Sequence, residues 1–284
     1  AVALAVICAA TLSVGVLAGC SSNASSSGSA AASSSQAATK TVTDMLGRTV
    51  EIPSNVEKVI GIGSALRSIC YMGEVDKVVG VEASEHEDSI NCAYRHVNHE
   101  KFANLPIIGE GGSKGVTPNE EAIINAAPQV IICNNISADE ADALQSKTKI
   151  PVVCLNMPET FFGEDYQKNF TLLGEVFNNE KRANDLISYI NGISDDLKAR
   201  VAKSTATNTS AYAAGVSFRG SHGFEGTEAG FPPFAACNIK NIADVDGAKG
   251  PYSIDLEAVS SAQPEYIFIE SGNLSLVADD YKSN

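Results

Sequence analysis

The 284 residues include no tryptophan, three methionines and four histidines. Stacking surfaces must therefore rest on Phe, Tyr or Arg, and a site holding a bare metal ion through several converging imidazoles is short of ligands. No Asp, Glu, Lys or Arg precedes Lys40. Basic residues are scarce throughout, 20 Lys and Arg against 34 Asp and Glu, for a formal charge of −14. Such a field repels nucleic acid and anionic lipid and favours a basic docking surface on a partner. Also missing are the GxxxxGK[ST] phosphate loop and the GxSxG nucleophile elbow, which GEGGSKG and GIGSA do not match. His86, His96 and His99 with Glu85, Glu87 and Asp88 fit no fixed zinc spacing and read as solvated loop residues. No nucleophile and base pair stands out, so the sequence offers no catalytic centre.

The length suits two ordinary domains, and 44% hydrophobic residues at a mean hydropathy of zero describe a globular chain. The first twenty residues are uncharged and mostly apolar, too short a run for a good spanning helix. They end in Leu17, Ala18, Gly19 and Cys20, which resembles a bacterial lipobox, with Cys20 as the thiol that accepts lipid. Residues Ser21 to Thr39 are Ser, Ala, Gly, Gln and Asn-rich and read as a disordered tether reaching roughly 25 Å. Setting Cys8 and Cys20 aside leaves Cys70, Cys92, Cys133, Cys154 and Cys237. That odd count argues against a disulfide framework, and Cys133 and Cys154, ending two apolar runs, read as small buried hydrophobes.

Between Lys40 and Pro53 apolar and polar residues alternate about a Gly-containing turn, which predicts a β-hairpin. Apolar β-branched runs then recur at Val59 to Ile62, Lys77 to Val81, Pro106 to Ile108, Val130 to Cys133 and Val152 to Leu155. Helical spacers at Ser64 to Met72, Glu120 to Ala126 and Asp139 to Lys147 separate them, and that order predicts a parallel sheet. Glu164 to Lys203 carries apolar residues at helical spacing and no Pro, which predicts one long helix or two in tandem. Ala211 to Val216 and Tyr266 to Ile269 read as strands of a second α/β unit. A repeat supports this division: Glu121, Ala122, Ala126 and Pro128 recur as Glu257, Ala258, Ala262 and Pro264, each a helix, a Pro break and a strand. Only 15 residues follow Ile269, so the second lobe reads as incomplete.

The run VTDMLGRTVEIPSNVEKVIGIGSALRSICYMGEVDKVVGV, together with NEEAIINAAPQVII, FTLLGEVFNNEKRANDLISYI and SFRGSHGFEGTEAGFPPF, resembles the Fe/B12 periplasmic-binding family of ABC importers. That resemblance implies an α/β fold of two Rossmann-like lobes joined by a long bridging helix (class III periplasmic-binding-protein-like). The corresponding boundaries are a signal at 1–20, a tether at 21–39, an N-terminal lobe at 40–160, the bridge at 161–205 and an incomplete C-terminal lobe at 206–284.

It further implies a non-enzymatic, monomeric lipoprotein on the outer face of the cytoplasmic membrane, at the cell surface or in the periplasm. Such a protein has no cofactor of its own. It carries an iron-siderophore, haem or corrinoid-type ligand to a membrane permease and its ATPase. Ligands of open parallel sheets sit beyond the strands' carboxyl ends, which singles out Ser64 and Arg67. Tyr94 and Arg95 lie in an irregular stretch resembling the family's ligand-facing loop, and Arg219, His222 and Glu225 lie in a Gly-rich loop of the second lobe. Glu121 and Glu257 match the acidic residues, one per lobe, that dock on permease arginines. Haem is not preferred over a ferric chelate, since no facing Tyr, Met or His pair can be placed. The alternatives are a binding protein for bare Zn, Mn or Fe ions and a chelatase-like enzyme.

Overall fold

The computed structural model describes residues 38–157, 162–205 and 209–283. The signal, nearly all of the tether, Cys20 and part of the polar linker after the bridge fall outside the described residues.

Strands β1 (Thr39–Thr43) and β2 (Thr49–Pro53) form the expected antiparallel hairpin, in which Val42 faces Val50. Strand structure begins at Thr39, one residue inside the expected tether. Alternation puts Val42, Val50 and Ile52 in the core. The turn is fastened by the buried Asp44. Its Oδ1 accepts from the Leu46 and Arg48 amides at 3.0 and 2.9 Å, and its Oδ2 from Arg48 Nη1 at 2.8 Å and the Cys154 amide at 3.2 Å.

The first lobe continues with β3 (Val59–Ile62), α1 (Ala65–Tyr71), β4 (Val78–Gly80), α2 (Ala93–Phe102), α3 (Glu120–Ala126), β5 (Val130–Cys133), α4 (Ala138–Thr148) and β6 (Val152–Cys154). The four strands make one parallel sheet in the order β4-β3-β5-β6. Its side chains sort by period two into two cores. Val59, Val130, Ile132 and Val153 face α1, α2 and the helices beyond β6, while Ile60, Ile62, Ile131, Cys133 and Val152 face α3 and α4. Helix α4 starts from a complete capping box, Ser137 with Glu140, and α3 from Asn119, which accepts from the Ala122 amide. Cys133 and Cys154 lie opposite each other in register with sulfurs 3.5 Å apart, both free and buried, as the small-hydrophobe reading expects. Pro106 to Ile108 contributes only an isolated bridge from Ile107 to Val81 rather than a strand.

The bridge is two helices, α5 (Glu164–Phe177) and α6 (Glu180–Lys203). They are separated where Asn178 adopts a left-handed conformation and the Asn179 side chain caps α6 by accepting from the Arg182 amide. Buried Phe170, Leu173, Val176 and Phe177 dock α5 on the first core.

The second lobe holds β7 (Ser210–Ala214), β8 (Gly226–Ala229), α7 (Pro232–Ala236), β9 (Lys240–Asn241), β10 (Gly250–Ser253), α8 (Leu256–Ala262), β11 (Tyr266–Ile269) and α9 (Leu274–Ser283). A parallel sheet runs β11-β7-β9, and β8 with β10 forms an antiparallel ribbon. Tyr212 and Ala214 face one small core with Ile254 and Val259, and Ala211 and Ala213 face another with Phe234.

Candidate functional site

The first sheet has a topological switch between β3 and β5. The chain leaves β3 to add β4 on one side, then returns to add β5 on the other, so the loops beyond the two strands diverge and leave a crevice. Gly63 and Ser64 leave β3 there, and Asn134 leaves β5. The Ser64 amide donates to Asn134 Oδ1 at 3.1 Å, while Asn134 Nδ2 donates to Ser64 Oγ and approaches Met157 Sδ at 3.1 Å. Gly63 has φ +67°, and a Cβ on it would stand 2.7 Å from Asn134 Oδ1, so only glycine lets the two strand ends close up.

A cavity of about 230 Å³ opens over this crevice, lined among others by Ser64, Arg67, Glu82, Tyr94, Arg95 and Met157. Four of the expected ligand residues are thus brought together from two helices. Tyr94 and Arg95, expected in an irregular stretch, open α2. That helix buries only Tyr94 and Phe102, eight residues apart, so its sequence carries no apolar period. The same fold corrects the solvated reading of the preceding acidic segment, because Glu85 is buried. It accepts from Tyr94 Oη at 2.8 and 2.9 Å and from Arg95 Nε at 3.0 Å. Burial and the neighbouring Glu85 hold the Tyr94 phenol above its ordinary range, so it remains a neutral donor tied to Glu85. Arg67 is different: its guanidinium lies 5.4 Å over the Tyr94 ring and makes no hydrogen bond or ion pair among the described residues. It is a half-buried cation with its fork of donors unspent.

Glu82, which sequence reading missed, sits beneath this group. It is 2% exposed, its Oε2 accepts the Gly63 amide at 2.8 Å, and its Oε1 has no partner. An unpaired buried polar atom costs on the order of 1 to 3 kcal/mol. Burial pushes the carboxyl above its usual range, the Gly63 amide opposes this, and the negative Glu85 adds to it. Its position just beyond a strand's carboxyl end was the available sequence signal, obscured by a run of four acidic residues from 82 to 88.

The second-lobe residues gather separately in the loop leaving β7. The His222 ring stacks on Phe218 at 3.8 Å, its Nε2 donates to the Phe218 carbonyl at 2.9 Å, and its Nδ1 lies 3.2 Å from Glu225 Oε1. His222 and Glu225 are therefore engaged within their own loop. Arg219 is exposed, with φ +50°. This loop does not join the 230 Å³ cavity. The lobes do meet at their strand ends, however: Ser271, two residues beyond β11, donates from Oγ to Asn91 Oδ1 at 3.2 Å, beside the start of α2. A larger hollow of about 1290 Å³ lies between α6 and the second lobe, lined by Leu197, Lys198, Glu228 and Asp244 among others. It offers more space, but the smaller cavity is the one that holds the unspent Arg67 guanidinium. Among the described residues no three His, Cys, Asp or Glu side chains converge to hold an ion.

Helices α3 and α8 each lead into a strand parallel to its neighbour, so their first turns lie at the carboxyl edge of each sheet. Glu121 and Glu257 both occupy the second helical position and are exposed.

The sequence profile of the family described as "Periplasmic binding protein" matches residues 58–284. The chain belongs to the periplasmic binding protein family. Solved structures share the fold of this periplasmic binding protein. A periplasmic solute binding protein from Veillonella parvula DSM 2008 is 19% identical with a TM-score of 0.66, the match covering 83% of this chain and 69% of that one. Haemophilus influenzae MolA bound to molybdate is 19% identical with a TM-score of 0.64, over 81% and 73% of the two chains. The heme binding protein HmuT is 17% identical with a TM-score of 0.58, over 84% and 74%. No curated protein matches the sequence significantly. The fold is α/β and class III periplasmic-binding-protein-like, and the chain is an extracytoplasmic solute-binding protein of an ABC transporter.

Proposed function

We propose that the chain captures a ferric-siderophore-type metal chelate, haem or a corrinoid between its lobes and hands it to an importer permease, while a lipid on Cys20 holds it at the membrane. The observation that carries this reading is the cavity at the β3/β5 switch point, where Arg67 offers an unspent fork of donors to an anionic group. Asn91 and Ser271 support it by bringing the carboxyl end of the second sheet alongside, which makes the first cavity one wall of a shared cleft. Its volume is below the range of about 300 to 1,000 Å³ for whole ligand sites, as suits one half of a two-lobed grip. Glu121 and Glu257, one on each lobe's carboxyl edge, are the docking pair. Exposed charges of this kind contribute about 0 to 1 kcal/mol each, so they orient the complex more than they hold it.

Titration with ferric siderophores, haem, cobalamin and the free metal ions, read by calorimetry and thermal shift, tests the assignment. The expected result is stabilisation by a chelate and not by its free metal. Stabilisation by the free ion alone overturns the chelate reading in favour of bare-ion transport.

A further inference from the structure

Among the described residues the charged groups lining the cavity of about 230 Å³ are Arg67 and Arg95 against Glu82 and Glu85, so its formal charge is balanced. The adjoining glycine loop adds nothing, because its Lys114 pairs with Glu110 at 2.5 Å. The second lobe does not tip the balance towards positive. Arg219 shares its loop with Glu225, and two further carboxylates reach that loop: Glu270 accepts the Ser217 amide at 2.9 Å and Asp280 the Phe224 amide at 2.8 Å. A cargo with several anionic groups is ordinarily met by a cluster of arginines, and the described edges of the two sheets hold no such cluster.

Glu85 decides how that charge is distributed. Its oxygens accept from Tyr94 Oη at 2.8 and 2.9 Å, and Oε2 also accepts from Arg95 Nε at 3.0 Å. The ion pair is enclosed, with the Arg95 side chain 14% and the Glu85 side chain 5% exposed, so salt screens it little. The same contacts fix the Tyr94 ring, over which the Arg67 guanidinium lies at 5.4 Å. Arg95 is therefore compensated where it stands, and Arg67 is not. A unit charge acts across several ångströms at such a site, so Glu85 influences the cavity without touching what enters it.

We propose that Glu85 is a positioning residue that sets the charge preference of this site. By holding Tyr94 and cancelling Arg95, it leaves Arg67 as the uncompensated guanidinium of the first lobe's cavity. The cleft then takes an oxygen-bearing chelate with at most one uncompensated anionic group and disfavours a polyanion, for which the formal charge of −14 on the whole chain is a further obstacle. This deepens the chelate reading given above and rests on it.

Calorimetric titration tests this by comparing an uncharged probe, a ferric tris-hydroxamate or cyanocobalamin, with a trianionic ferric tris-catecholate. The wild type is expected to bind the uncharged probe about tenfold or more tightly than the trianion. Glu85→Gln keeps the size of the side chain and an acceptor for Tyr94 but loses the charge. It is expected to shift the ratio of the two affinities about tenfold or more towards the trianion, with the uncharged probe held within about threefold of wild type. A residue that only supports the fold weakens both probes alike, so an unchanged ratio in Glu85→Gln overturns the proposal. If Glu85→Gln does not fold, Arg95→Gln carries the test: Glu85 is then uncompensated, the ratio is expected to move about tenfold or more the other way, and an unmoved ratio overturns the proposal. A wild type that prefers the tris-catecholate, or that takes haem with its two carboxylates and neither uncharged probe, overturns this proposal and leaves the chelate reading standing. A wild type that binds none of these ligands overturns both.

Discussion

Replacing Arg67 with Ala separates the ligand role of this residue from any structural one. Among the described residues the guanidinium makes no hydrogen bond or ion pair and lies 5.4 Å over the Tyr94 ring, and cation–π contacts of this exposure are worth about 0.5 to 1 kcal/mol. Chemical denaturation of Arg67→Ala should show a loss no larger than that. In the complex the same group donates to an anion, and charge-assisted hydrogen bonds contribute about 1.5 to 3 kcal/mol. At 1.4 kcal/mol per factor of ten, calorimetric titration with the bound chelate should give a dissociation constant roughly tenfold to 140-fold weaker. Arg67→Lys should fall between, because it keeps the charge and loses the planar fork. Unchanged affinity in Arg67→Ala would remove the residue from the site. A stability loss above about 2 kcal/mol would show it to be a structural cation instead.

Asp44→Ala strips four hydrogen bonds from the hairpin turn and leaves the Arg48 guanidinium, itself only 12% exposed, without its buried partner. Breaking such a pair costs about 3 to 5 kcal/mol, and a loss under about 1 kcal/mol in urea unfolding would contradict the assigned role. Charge reversal at both Glu121 and Glu257 should abolish uptake in cells while leaving ligand affinity untouched; intact uptake refutes the docking assignment. Alkylation of the native protein should modify the exposed Cys237 before Cys70, whose thiol burial pushes up to about 12, and before Cys133, held high by its hydrogen bond with Cys154 and by burial. Early labelling of Cys133, read by peptide mass, would show that the first sheet opens in solution.

The buried strands were legible because both faces of a parallel sheet are covered, so VIGI, VIIC and VVC read as unbroken apolar runs. Strands β8 to β10 carry no such mark. GTEA, KN and GPYS are two to four residues long, and their pairing is set by packing under Tyr212 and Tyr252 rather than by their own composition. Helix α2 escaped notice because its buried residues, Tyr94 and Phe102, are too far apart to make a stripe. At the site, Ser64 and Arg67 followed from strand order alone, since they flank the first strand's carboxyl end. Glu82 and Glu85 did not, because which acids in a run become buried is decided by partners elsewhere in the chain, Gly111 against Glu82 and Tyr94 with Arg95 on Glu85.

The second lobe repeats the fastening seen in the first, and this bears on how the cleft works. Asn134, just beyond β5, ties the two strand ends through Ser64; Asn273, beyond β11, ties β7 by donating to the Gly215 carbonyl and to Ser217 Oγ, both at 2.8 Å. Both asparagines are buried. A carboxylate then fixes a backbone amide beside each switch point, Glu82 on Gly63 and Glu270 on Ser217 at 2.9 Å. Such networks remove loop freedom before the ligand arrives, so little ordering entropy is left to oppose binding. Ser271 and Asn91 then join the two fastened edges directly. With the loops of each lobe held by their own side chains, the proposed recognition falls to groups left unspent, and among the described residues of the first lobe the Arg67 fork is such a group.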